Sequence, residues 1–148
     1  MSAHELQTML ADANSAGAML VSEDNLVDLR KAAQRNQFLC KQIDLAGCRD
    51  KTELLNRIAR ALQFPATFGH NWDALSDCIG DLSWLPAKGY WLEFPHAAEF
   101  RLAAMEDFDS LMSILDDAAT TWAAQHIAFW SAFALPDAQI DALDGDAA

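Results

Sequence analysis

The sequence predicts a small α/β domain with a largely parallel sheet. Short apolar segments at 18–21, 38–45, 90–94 and 126–135 are separated by stretches whose apolar residues recur at three- and four-residue spacing. Strands that alternate with helices pair in parallel, because each helix returns the chain to the start of the sheet. Composition supplies the third observation. Of 148 residues 52% are apolar, with five Trp and eight Phe. A single domain of that size buries roughly two-thirds of its unfolded surface.

The elements follow in order. Leu6, Met9, Leu10 and Ala13 recur at helical spacing over 4–13, and Gly17 ends that segment. AMLV at 18–21 reads as a short strand. Ser22 is placed as an N-cap for SEDNLVDLRKAAQRN, whose Leu26, Leu29 and Ala33 share one face. FLCKQIDL, 38–45, alternates as a strand does. Asp50 and Glu53 have the spacing of a capping box before KTELLNRIARALQF, which Pro65 terminates. Pro86 and Gly89 frame a turn into the strand YWLEF, 90–94. Phe108, Leu111, Leu115, Ala119 and Trp122 form the apolar stripe of a long helix from about Ala104 to Ala124. HIAFWSAFAL, 126–135, is apolar on both alternating faces, as a strand covered on both sides would be. The remainder, PDAQIDALDGDAA, reads as a frayed acidic tail.

Charge narrows the choice of partners. Ten basic and 22 acidic residues give a net charge of −12, which repels nucleic acid and anionic lipid and favours basic partners. No Lys or Arg follows Arg101. The N-terminus lacks the basic and apolar regions of a signal peptide, and no segment approaches the roughly 20 apolar residues of a membrane span. Cys40, Cys48 and Cys78 have no paired spacing, which predicts reduced thiols in a cytoplasmic protein.

Motifs of catalysis are scarce. His4, His70, His96 and His126 have no ligand spacing with one another or with the cysteines, so no metal site and no cofactor are expected. There is no dinucleotide fingerprint, P-loop or Gly-x-Ser-x-Gly elbow. A hydrolase built on paired carboxylates is recognised by geometry, so that reading stays open behind the expectation of no enzyme.

The feature that remains is FGHNWDALSDCIGDL, 68–82, where Asp73, Asp77 and Asp81 are spaced four apart. No Lys or Arg lies between Arg60 and Lys88. With Asn71 as N-cap and an advance of about 100° per residue, Trp72, Leu75, Ile79 and Leu82 fall within an arc of about 80°. The three aspartates fall in another arc of about 80°, on nearly the opposite side. An amphipathic helix with an outer face of one sign is the result. Like charges at this spacing cost a few tenths of a kcal/mol per pair. Asp73 gains from the helix dipole at the N-terminal end, and Asp81 does not.

Phe64-Pro65-x-x-Phe68-Gly69-x-Asn71-Trp72-Asp73-Ala74-Leu75-x-Asp77-Cys78 resembles the barstar-like family of ribonuclease inhibitors, and the order of elements is similar over roughly residues 37–134. The resemblance implies a three-stranded parallel sheet flanked by helices, with AMLV available as one further strand. It implies one domain over 1–148, made of an N-terminal extension (1–36), a core (37–134) and an acidic tail (135–148). It also implies a binding surface made by the acidic helix and the loop before it, which includes Thr67, Gly69, His70 and Ser76. In the family prototype, carboxylates of this helix take the places of substrate phosphates in the nuclease active site. Carried over by position, these are Asp73 and Asp77, with Asp77 the principal anchor, and Asp117 aligns with a further contacting acid. The prototype has aromatic rings at the positions of Thr67, Ser76 and Leu82, and it lacks an acid at Asp81.

The expected function is that of an inhibitor or immunity-type protein, monomeric when free, that blocks a basic ribonuclease or related toxin. The alternative is an acidic interaction module for a basic partner that is not a nuclease.

Overall fold

Four parallel strands form one sheet in the order β1-β4-β3-β2: β1 is Ala18–Val21, β2 Leu39–Gln42, β3 Gly89–Phe94 and β4 Ala128–Ala134. The computed structural model describes residues 2–147. The seven α-helices among them are α1 (Ala3–Ala11), α2 (Glu23–Arg35), α3 (Lys51–Ala61), α4 (Trp72–Asp81), α5 (Ala98–Ala103), α6 (Met105–Ala123) and α7 (Asp137–Ala147). The sheet implied by the resemblance is therefore present and gains β1 as a fourth, edge strand.

Alternation in the two central strands builds two separate cores. Tyr90, Leu92 and Phe94 of β3, with Phe129 and Phe133 of β4, face α3, α4 and α6 and pack with Leu55, Leu75 and Leu111. Trp91, Ala128, Trp130, Ala132 and Ala134 face the other way, onto Leu10 of α1 and onto Leu26, Leu29 and Ala33 of α2. Covered on both sides, β3 and β4 are buried throughout. The small alanines of β4 let α1 and α2 approach that face closely.

Specific polar bonds fasten the first 36 residues to the rest. The Trp130 indole N–H donates to the Leu10 carbonyl at 2.9 Å. The Ala18 N–H, at the edge of the sheet, donates to Asp116 Oδ1 of α6 at 2.7 Å, which covers a backbone donor that an edge strand would otherwise offer to another chain. Arg30 of α2 donates through Nε and Nη2 to the two oxygens of Glu93, both at 2.6 Å. Glu93 is 2% exposed, and a bidentate, charge-assisted pair is what permits a carboxylate there.

The predicted N-caps form. Ser22 accepts from the Asn25 N–H, Asp50 from the Glu53 N–H and Asn71 from the Ala74 N–H. The second half of the capping box does not form, because the Glu53 carboxylate bonds Arg57 Nε at 2.9 Å instead. Two features differ from expectation. The long helix begins at Met105, close to the expected Ala104, but a short helix not foreseen, α5, precedes it across Ala104 (φ −141°, ψ 61°). The expected frayed tail is helical as α7, with Ile140 and Leu143 packed on the larger core. Among the described residues no helix is long and apolar enough to cross a membrane.

Candidate functional site

The loop before α4 is held by its aromatic residues. Phe68 is buried and meets Phe64 edge-on, with ring centroids 5.0 Å apart, and Phe64 meets Trp84 at 6.1 Å. The Trp84 indole N–H donates to the Leu62 carbonyl at 2.9 Å. Thr67, Gly69 and His70 project outward between these anchors, and the His70 ring lies 4.8 Å from Phe68. His70 has a positive φ of 53° and turns the chain into the cap. A Cβ at Gly69 would lie 3.3 Å from Asn71 Nδ2, so the close approach of cap and loop favours glycine there.

Helix α4 then presents its two faces as the periodicity requires. Leu75, Ile79 and Leu82 are each at most 1% exposed, and Trp72 is half-buried. The Trp122 indole N–H of α6 donates to the Ile79 carbonyl at 2.9 Å, tying down the last turn. Leu82 closes the helix in the left-handed region (φ 45°) with its side chain in the core.

Asp73, Asp77 and Asp81 are all exposed, together with Ser76. None of the three carboxylates has an ion pair with a basic side chain among the described residues. The nearest arginines in sequence are engaged elsewhere. Arg57 and Arg60 both reach Glu53, and Arg57 also donates to the carbonyls of Asp44 and Ala46. Among the described residues Asp81 accepts only a 3.3 Å bond from Ser83 Oγ. The Cys78 thiol is pushed above its ordinary range, first by burial and then by the charges of Asp77 and Asp81.

One part of this surface has no sequence signal. An open groove of about 510 Å³ runs between α4 and α6. Trp72, Asp73 and Ser76 form one wall, and Asp109, Ser110, Ser113 and Ile114 form the other. Asp109 thus faces the same space as Asp73, although the two lie in different helices. Nothing in the spacing of α6 says which of its polar positions faces α4. Asp117 is exposed on α6 but does not line the groove. Its neighbour Asp116 points to β1 and is structural.

Residues 38–134 match the family model described as Barstar (barnase inhibitor). The chain belongs to the Barstar family. The match runs from the start of β2 to the end of β4 and takes in the loop, α4 and the groove. A search of curated proteins found no match. The Barstar family is described by what its members inhibit, and its description names no catalysed reaction.

Proposed function

We propose that this chain inhibits a basic ribonuclease or a related toxin by presenting the carboxylates of α4 to the enzyme's phosphate-binding site. One observation carries the reading. Asp73, Asp77 and Asp81 stand exposed and without cationic partners among the described residues, on one outward face within the Barstar match. A ribonuclease holds phosphate with Arg, Lys and His. Carboxylates at those positions accept the same charge-assisted hydrogen bonds.

The helix suits this task because it is rigid before binding. Leu75, Ile79 and Leu82 lock one side into the core, and Asn71 fixes the first turn. Asp73 and Asp77 therefore hold a separation of about 5–6 Å at Cβ, and association costs the ordering of their side chains but not of the backbone. The net charge of −12 steers a basic enzyme toward the inhibitor.

The test is RNA cleavage by barnase, and by any nuclease recovered on the immobilised chain from source cells, with and without the inhibitor. Wild type is expected to suppress cleavage. Asp77→Ala is expected to weaken the effect about ten- to a hundredfold, the worth of one or two hydrogen bonds to a charged group. If no nuclease is captured and barnase cleaves at its full rate, the reading fails. The second reading, a basic partner that is not a nuclease, is favoured by one observation. Thr67 and Ser76 are exposed and carry no ring, so the surface keeps its charge without aromatic anchors there. A salt-sensitive complex with a protein that cleaves no RNA is its signature.

A further inference from the structure

Helices α1 and α2 meet the edge strand β1 along an open groove whose two halves differ in chemistry. One half, of about 480 Å³, is lined by Leu6 and Met9 of α1, Met19 and Val21 of β1, and Leu29 of α2. The other, of about 250 Å³, lies further along α2, beside Lys31 and Arg35. Leu6 and Asp28 border both halves, so the two are continuous. The whole groove lies within residues 1–36, outside the Barstar match.

The cations at one end are not needed by the fold. Lys31 and Arg35 are exposed and four residues apart, and neither pairs with a carboxylate among the described residues. Like charges at that spacing repel each other. Arg35, in the last turn of α2, gains from the helix dipole, whereas Lys31 lies a turn too early. Arg30, Arg49, Arg57 and Arg60, by contrast, all have carboxylate partners. On a chain of net charge −12, Lys31 and Arg35 make a small positive end to an apolar groove. Leu6, Met9 and Met19 of the apolar half are only half-buried, and unbranched methionines repack readily around an incoming group.

The groove and α4 lie on opposite faces of the sheet. Val21 and Leu29 belong to the core beneath α1 and α2, and Leu75 and Ile79 of α4 to the other. An occupant of the groove therefore leaves the aspartates of α4 free, and the inference does not depend on what α4 binds.

The occupant follows from charge and position. The acidic C-terminal segment packs through Ile140 and Leu143 on the α4 side of the sheet, away from the groove. A second copy would bring a further charge of −12, and the Ala18 N–H that edge-to-edge pairing would use is already taken by Asp116. A segment complementary to both halves is acidic at one end and apolar at the other. From Asn25 to Arg35 α2 rises about 15 Å, the reach of about five extended residues.

We propose that the groove between α1, α2 and β1 docks a short extended segment of a partner protein, with acidic side chains at Lys31 and Arg35 and apolar side chains on Met9 and Met19. Residues 1–36 then carry a second binding surface besides covering the sheet.

The test is an amide NMR titration of the isotope-labelled full chain with the capped peptides acetyl-Glu-Glu-Gly-Leu-Leu-amide and acetyl-Leu-Leu-Gly-Glu-Glu-amide, which present the acids in either direction. At least one should give saturable shifts at Leu6, Met9, Met19, Lys31 and Arg35. The double variant Lys31→Glu, Arg35→Glu should weaken binding about tenfold, through the loss of two exposed ion pairs. Both positions are exposed, so the variant keeps the fold, which the same spectra verify. Met9→Gln should weaken binding about threefold by making the apolar wall polar. The peptide acetyl-Lys-Lys-Gly-Leu-Leu-amide should not bind. Absence of saturable shifts in the groove, shifts confined to α4, or equal affinity for the basic peptide overturns the proposal. Self-association of the chain that maps to the same residues and is displaced by no peptide assigns the groove to a second copy, and overturns it too.

Discussion

Arg30→Met probes how the N-terminal residues are held to the sheet. The substitution removes two 2.6 Å hydrogen bonds from the Glu93 carboxylate. What remains is a group 2% exposed whose only other side-chain donor among the described residues is the Trp91 indole N–H at 3.3 Å. Deleting one member of a buried pair costs about 3–5 kcal/mol, chiefly because the other charge stays buried. The Arg30 side chain is 33% exposed, so water reaches the vacated end and the lower part of that range applies, about 3 kcal/mol. For a domain of this size that lowers Tm by roughly 6–12 °C. Urea unfolding followed by tryptophan fluorescence measures the change. The double variant Arg30→Met, Glu93→Leu removes both charges and is expected to recover most of the loss. A single variant that costs under about 1 kcal/mol, or a double variant no more stable than the single, would refute the assignment of this pair as the link between α2 and the sheet.

Three further outcomes are expected. Asn71→Ala removes the cap of α4 and should cost about 1 kcal/mol in urea unfolding, with a loss of nuclease affinity as the first turn frays. Gly89→Ala should destabilise more severely, since its Cβ would come within van der Waals overlap of the Phe38 ring, and the additional variant Phe38→Leu should relieve part of the loss. His96 titrates above its ordinary 6.5, chiefly through its hydrogen bond to Asp44 and then through the charges of Asp44 and Glu23. Its contribution to stability is complete below about pH 6.5 and fades as pH rises through the raised pKa. An NMR titration of His96 checks this, and Asp44→Asn should return it toward the ordinary value.

The parts of the molecule that were legible in the sequence are those governed by local periodicity. Asp73, Asp77 and Asp81 separate from Leu75, Ile79 and Leu82 because a helix repeats every 3.6 residues, and burial follows the same division. The run of β4, apolar on both sides of Ser131, correctly implied cover on both faces, although it did not say that α1 and α2 provide one of the covers. What stayed illegible depends on contacts distant in sequence. Arg30 and Glu93 are 63 residues apart, and neither residue type announces the other. Asp116 and Asp117 are adjacent, yet one bonds the Ala18 N–H and the other faces solvent. Asp109 enters the candidate site only through the packing of α6 on α4. The start of α6 near Ala104 is legible in its apolar stripe, whereas α5, Ala98–Ala103, has no side-chain N-cap to announce it as a separate helix. Helix α7 was hidden by its weak apolar pattern, in which Ile140 and Leu143 supply the packing on the core.

The central claim is that the α4 carboxylates occupy a nuclease's phosphate site. The mode of inhibition tests it most directly. Steady-state cleavage of a short RNA substrate by barnase should show purely competitive inhibition by the wild-type chain. Asp73→Asn and Asp77→Asn should each raise the inhibition constant and leave the mode competitive. Inhibition that is noncompetitive with RNA, or that is unchanged when both aspartates are replaced, would contradict the account.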